Sequence, residues 1–318
     1  MKKWFVFLTA LALLLSACSN SVSNNKTGDG EAANTNETGS GTEGSHEPIV
    51  ISGKPWTEQR ILPYILADYI KAKTDYPVKV HANVGETNVL HEAITQGSID
   101  MYVEYTGTGY LAVLKKEFKP EQTPQEIYDI TKKAYEDNFQ LTWLAPLGFE
   151  NTYSITVRKE TKEKYGIEKA SDLTKISDQL VFGGPATFFG RPDGYDYMVD
   201  SYDYHFKKHV SLKPGLMYKA LDAGQVDVIP AFTTDGRIDK LNLVTTEDDH
   251  NIFPPYFAAP VVRMDTLKAY PKLDDVVNEL KGKISEQEMR KMNAAVDIDH
   301  KRPKEVAKQF LQDQGLIK

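Results

Sequence analysis

The sequence has one cysteine, Cys18. A single cysteine forbids an intramolecular disulfide. It also excludes cysteine-based zinc sites and thiol catalysis from everything that follows it. No long apolar run occurs after residue 15, so no membrane span is expected there. Neither Gly-x-Ser-x-Gly nor His-Glu-x-x-His is present, which removes two hydrolase signatures. Positive charge is in deficit, with 38 Lys and Arg against 45 Asp and Glu, a net charge of −7. That balance argues against nucleic acid or an anionic membrane surface as partner and mildly favours a cationic or zwitterionic ligand. Residues 19–47 hold no Phe, Tyr or Trp and almost nothing aliphatic. Such a segment cannot offset its ordering entropy by burial. It reads as a flexible tether that, as a random coil, would reach roughly 30 Å.

What is present begins with the N-terminus. Lys2 and Lys3 form a basic start, and Trp4 to Leu15 is an apolar run of about a dozen residues. That is the length of a signal-peptide core and too short to span a bilayer. The run ends in Leu15-Ser16-Ala17-Cys18, which resembles the lipobox of bacterial lipoproteins. The expectation is a signal peptide over 1–17, then a lipidated Cys18 and its tether over 18–47. The lipid would hold the protein on the outer face of the bacterial cell membrane.

The remainder, from Pro48 to Lys318, alternates strands and helices as an α/β fold does. Ile49 to Ser52 reads as a strand, Glu58 to Lys73 as a helix with apolar residues at helical spacing, Val78 to Ala82 as a strand. Thr87 to Thr95 is a helix stopped by Gly97, and Ile99 to Glu104 a strand. Two stretches echo one another. Each reads helix end, Gly, buried strand, aromatic, Thr: once from Ala93 through Gly97 to Tyr105, and again from Ala220 through Gly224 to Phe232. Two similar lobes would each place an aromatic where a strand leaves its sheet, which is where α/β sheets bind ligands. Ala258 to Arg263 is an apolar strand that can return the chain to the first lobe. The expected division is lobe one from 48–147 plus 258–318 and lobe two from 148–257, joined by two hinge crossings.

These segments also carry a resemblance. Trp56-Thr-Glu-Gln59, Gly85-Glu-Thr-Asn88, Glu104-Tyr-Thr-Gly-Thr108 and Asn151-Thr-Tyr153 are followed in order by Arg191-Pro-Asp-Gly194, Gly224-Gln-Val-Asp-Val228, Thr233-Thr-Asp-Gly236 and Phe253-Pro-Pro-Tyr256-Phe-Ala-Ala-Pro260. Together they resemble the substrate-binding lipoproteins of osmoprotectant ABC transporters, whose ligands are glycine betaine, carnitine and choline. The resemblance implies a two-lobed periplasmic-binding-protein fold of type II that closes like a clamshell on its ligand. It implies a monomer that delivers the ligand to a membrane permease and is not an enzyme. It further implies four aromatic side chains around a trimethylammonium head, which by position match Tyr105, Tyr153, Phe232 and Tyr256. The third is usually tyrosine in the family, so a hydroxyl is missing at Phe232.

Chemistry supports that arrangement. A quaternary ammonium has no N–H to donate, so it is held by electronegative faces, counter-charge and burial of its methyls. Stacked aromatic faces are the recurrent solution, at roughly 0.5–2 kcal/mol each. Four can supply micromolar affinity, about −8 kcal/mol, once closure costs are met. Gln59, Thr108, Thr87 and Asn88 are candidates for the ligand's other end, because three of them open helices whose free N–H groups suit a carboxylate. Two weaker signals are set aside. Gly107-Thr-Gly109-Tyr-Leu-Ala112 is only a loose dinucleotide fingerprint, and His205 and His209, flanked by Lys207 and Lys208, read as a solvated face. No cofactor and no metal is expected.

Overall fold

The computed structural model describes residues 47–191 and 193–318. The signal peptide, Cys18 and nearly all of the tether read from the sequence lie outside the described residues. The first element, β1 (Ile49–Ser52), is a β-branched run that leads through Gly53 into the helix α1 (Thr57–Lys73). Glycine is required at that corner: a Cβ on Gly53 would stand 2.0 Å from the backbone oxygen of Gln59. Helix α1 buries Ile61, Leu62, Ile65, Leu66, Tyr69 and Ile70 on one face, as their spacing predicts. Pro63 sits inside the helix without ending it.

Two five-stranded sheets follow from this pattern. The first takes the order β2 (Val78–His81), β1, β3 (Met101–Tyr105), β10 (Ala258–Arg263), β4 (Leu141–Trp143). The second takes the order β7 (Lys208–Ser211), β6 (Val181–Gly184), β8 (Val228–Phe232), β5 (Tyr153–Arg158), β9 (Leu243–Thr245). In each sheet four strands run one way and the fourth in order runs against both its neighbours: β10 against β3 and β4, β5 against β8 and β9. The two sheets therefore share one topology. In both, the antiparallel strand is the first after the chain has passed over from the other sheet.

Those passages run side by side. Glu150 and Phe257 form an antiparallel bridge, Asn151 N–H donates to Tyr256 O at 3.0 Å and Leu147 N–H to Ala258 O at 2.9 Å. The echo seen in the sequence holds in space. Gly97 and Gly224 both adopt left-handed φ, at 79° and 69°, and β3 and β8 end on Tyr105 and Phe232. The apolar run suggested a strand from Ile99, but regular pairing starts at Met101 and takes in Tyr105. Strand alternation then decides which way each side chain goes. Met101, Val103 and Tyr105 pack on the α1 side, whereas Tyr102 packs with Leu90, Ile94, Tyr135 and Trp143 on the other.

Candidate functional site

A cavity of about 450 Å³ lies between the two sheets' lobes, at the ends of β3 and β8. Tyr105, Tyr153, Phe232 and Tyr256 all line it. Tyr153 and Phe232 are direct cross-strand partners in the β5–β8 pair, with ring centroids 5.1 Å apart. Tyr153 is backed by Phe188 at 4.9 Å and Phe253 at 5.7 Å, which fix its ring. On the other side, Tyr105 ends β3 opposite Ala258, and Tyr256 precedes that residue by two. A Cβ on Gly107 would come within 2.8 Å of the Tyr256 ring. The glycine therefore lets that ring lie directly on the backbone. This close packing, together with that of Gly109 against Trp143, accounts for the pair that mimics a dinucleotide motif.

Glu58 sits behind the aromatic group. It lies in the first turn of α1, is 2% exposed and lines the cavity. Its carboxylate accepts from four side chains. Tyr105 Oη and Asn151 Nδ2 (2.8 Å) donate to Oε1, while Thr234 Oγ1 (2.6 Å) and Asn293 Nδ2 (3.1 Å) donate to Oε2. These donors come from both sheets' lobes, from one crossing and from the helix Glu286–Asp297. No cation pairs with Glu58 among the described residues. Its negative charge is held by hydrogen bonds alone, which leaves a field beside the cavity that favours a cation. A buried ion pair, Lys54 with Glu104, lies one layer further back. Glu104 also accepts from the Tyr105 N–H at 2.9 Å, and Lys54 Nζ stands 5.4 Å from the Tyr105 ring centroid.

Lobe two adds two guanidiniums, each held by its own carboxylate. Arg191 donates to Asp193 through Nε (2.8 Å) and Nη2 (2.5 Å), and Arg237 to Asp235 through Nε (2.7 Å) and Nη2 (2.6 Å). Burial works against the charge of both, but the partner carboxylates more than offset it and keep both protonated. The cage hydroxyls are pushed the other way. Burial raises Tyr105, and Glu58 raises it further. Burial also raises Tyr153 and Tyr256, with Arg191 pulling against the shift in both. All three tyrosines stay neutral. Asn151 Oδ1 and Asn293 Oδ1 have no hydrogen-bond partner among the described residues, although both residues line the cavity. The site thus combines aromatic faces, a buried carboxylate, free amide acceptors and clamped guanidiniums.

The other expected contacts separate. Thr108 lines the cavity, but Gln59, Thr87 and Asn88 do not. Gln59 is fully buried and donates to Val103 O at 3.1 Å, inside lobe one. One helical step of about 100° turns it away while Glu58 faces the ligand space. Thr87 and Asn88 open the helix Thr87–Thr95, whose buried residues Leu90 and Ile94 pack on the far side of the sheet. Residues that the sequence reading passed over include Trp56, Glu58, Asn151, Arg191, Thr234 and Asp235. Each lies inside a motif quoted for the resemblance, so the signal was there without its direction. Arg237, Asn293 and Asp297 lie outside those motifs.

Comparison with known proteins identifies the family. Residues 47–313 match the model of the substrate-binding domain of ABC-type glycine betaine transport systems. The carnitine transport binding protein OpuCC of Listeria monocytogenes serotype 1/2a (strain 10403S) is 37% identical over 270 residues, which is 84% of this chain and 87% of that one. An ergothioneine transport permease/ergothioneine binding protein of Helicobacter pylori (strain G27) is 36% identical over 271 residues, 85% of this chain. The match spans 48% of that relative's length. A crystal structure described as a glycine betaine/carnitine/choline ABC transporter superposes with a TM-score of 0.80 at 32% identity, covering 84% of this chain and 99% of that one.

Proposed function

The chain belongs to the family of substrate-binding domains of ABC-type glycine betaine transport systems, and on that premise we propose that its cavity captures the trimethylammonium head of a small solute for delivery to a membrane permease. The family is one of transport receptors, not of enzymes. The observation that carries the reading is the convergence of Tyr105, Tyr153, Phe232 and Tyr256 on one cavity beside the uncompensated Glu58 carboxylate. Aromatic faces and a negative field are what a cation without N–H groups requires. The two lobes each supply part of the cage, so ligand affinity becomes closure free energy. A carboxylate at the ligand's other end would meet Arg191 or Arg237, and a hydroxyl would meet Thr108 or the free amide oxygens. Glycine betaine, carnitine and choline all satisfy this chemistry.

A second reading concerns a larger ligand. The cavity, at about 450 Å³, exceeds what a trimethylammonium head alone fills and lies in the range that takes drug-sized molecules. A betaine derivative of an amino acid, of which ergothioneine is one, would use that room. Trp56 lines the cavity and reports on its occupancy. Titrating choline, glycine betaine, carnitine and ergothioneine by tryptophan fluorescence tests both readings. Saturable binding near micromolar of one or more of the four supports the receptor. No binding to any of them up to millimolar overturns it, and the order of affinities chooses between the readings.

The same proposal places the protein outside the cytoplasm as a monomer, anchored by a lipid on Cys18. The lipobox-like Leu15-Ser16-Ala17-Cys18 supports the anchor. Among the described residues no helix is long and apolar enough to cross a membrane.

A further inference from the structure

Lobe one carries a second concavity, of about 540 Å³. Its walls are Arg60 and Tyr64 of α1, Ala82 just after β2, and Arg302, Lys304 and Lys308 at the start of the helix Pro303–Asp313. Four cations thus face one groove on a chain whose net charge is −7. The one acid on its wall, Glu305, is already taken by Arg302. Arg60, Lys304 and Lys308 are exposed and have no ion-pair partner among the described residues. The positive end of the helix dipole adds to the same field. The groove is thus complementary to an anionic partner.

Its position narrows the partner. Helix α1 lines the ligand cavity with Thr57 and Glu58 and the groove with Arg60 and Tyr64. The two are neighbours within one helical turn. A flat layer of lipid headgroups needs neither a groove nor nearness to the ligand, whereas a protein that receives the ligand needs both. We propose that this groove docks an acidic segment of the membrane permease and so sets the ligand cleft over the transport path. The inference rests on the reading of the chain as a receptor that delivers to a permease. Unscreened charges of this kind mainly steer association, so their effect falls with ionic strength.

The test uses the full chain with its cognate permease–ATPase complex in proteoliposomes, and follows ATP hydrolysis against binding-protein concentration. The triple variant Arg60→Glu, Lys304→Glu, Lys308→Glu should raise the half-maximal concentration at least tenfold while its affinity for quaternary-ammonium solutes in solution stays unchanged. Lys304→Arg with Lys308→Arg should behave as wild type. Raising salt from about 50 to 300 mM should weaken the wild type and barely move the triple variant. Should the triple variant fold poorly by circular dichroism, Arg60→Glu and Lys308→Glu singly read the same effect. A wild-type half-maximal concentration in the charge-reversed protein overturns the proposal. So does loss of binding to phosphatidylglycerol vesicles with stimulation intact, which would assign the groove to lipid. If the wild type binds ligand but never stimulates the complex, the delivery reading fails and this inference falls with it.

Discussion

Thr234 donates its hydroxyl to Glu58 across the ligand cleft, Oγ1 to Oε2 at 2.6 Å. One partner opens α1 in the first lobe, and the other follows β8 in the second. The same carboxylate holds the Tyr105 hydroxyl, so one buried charge both positions a cage ring and ties the lobes together. Arg290 Nε adds a bond to Thr233 O at 2.6 Å, and Asn293 Nδ2 one to Thr234 O at 2.8 Å. Polar contacts around Glu58 therefore bridge the two lobes.

Replacing Glu58 by Gln should weaken closure and ligand binding together. The amide keeps the volume but removes the charge and puts a donor where four donors converge. A bond to a buried charge is worth about 1.5–3 kcal/mol, so affinity should fall roughly ten- to a hundredfold. Titration, with small-angle scattering for the spread of the lobes, checks this. Unchanged affinity and compactness would show that Glu58 is a bystander.

The cage residues should differ in a defined way. Tyr153→Ala and Tyr256→Ala should each cost about 1–3 kcal/mol of binding, from a lost desolvated face and its buried area. The corresponding Phe replacements should cost less, because the face survives. Tyr105→Phe should be the costliest of the three Phe changes, because of the three tyrosines Tyr105 alone donates to Glu58. Equal affinities for Tyr153→Ala, Tyr256→Ala and wild type across the ligand panel would sink the cage.

Specificity should turn on Thr108, which lines the cavity near Tyr105. A neutral hydroxyl can donate to a carboxylate or accept from an alcohol, so wild type should take several quaternary-ammonium solutes. Thr108→Asp should narrow the range towards choline. At about 4 Å and an effective dielectric near 20, like charges cost roughly 4 kcal/mol, close to a thousandfold. An unchanged ratio of choline to glycine betaine affinity would place Thr108 away from the ligand.

Affinity for choline should stay flat between about pH 6 and pH 9. Burial, first of all, raises the cage tyrosines above their ordinary value near 10. A raised acid favours its neutral form in the fold, so nothing is lost below the unfolded value, and stability falls only as pH climbs from there towards the folded one. Ultraviolet titration at alkaline pH should show a late-ionising tyrosine group. A drop in affinity already at about pH 8 would contradict it.

Cys18→Ala should release or mislocalise the protein while its domain remains folded. Membrane fractionation with a ligand titration on the released chain reads both halves. Full membrane retention of the variant would rule out a lipid on that cysteine.

Much of this was written locally. The alternating pattern marked the strands, and the Gly97–Tyr105 and Gly224–Phe232 echo marked matching aromatic strand ends. The apolar run from Ala258 to Arg263 marked a strand, whereas the order of the strands in each sheet was set only by tertiary pairing. The ends of elements were less legible. The strand that should have stopped at Glu104 runs to Tyr105, because pairing with Ala258 on the returning strand extends it, and that partner lies 153 residues away in the chain.

The sequence by itself pointed to the fold class, since periodicity is a local property, and its resemblance to the family pointed to the four aromatics. Only the tertiary structure decided which neighbour in Trp56-Thr-Glu-Gln59 faces the ligand. Glu58 and Gln59 differ by one helical step, and the packing of α1 on its sheet sets the rotation that points the carboxylate into the cavity and buries the amide against Val103. Tertiary structure likewise brought Asn293 and Thr234 to that carboxylate. No local rule joins residues so far apart in the chain, and only the packing of the two lobes around one buried carboxylate does so.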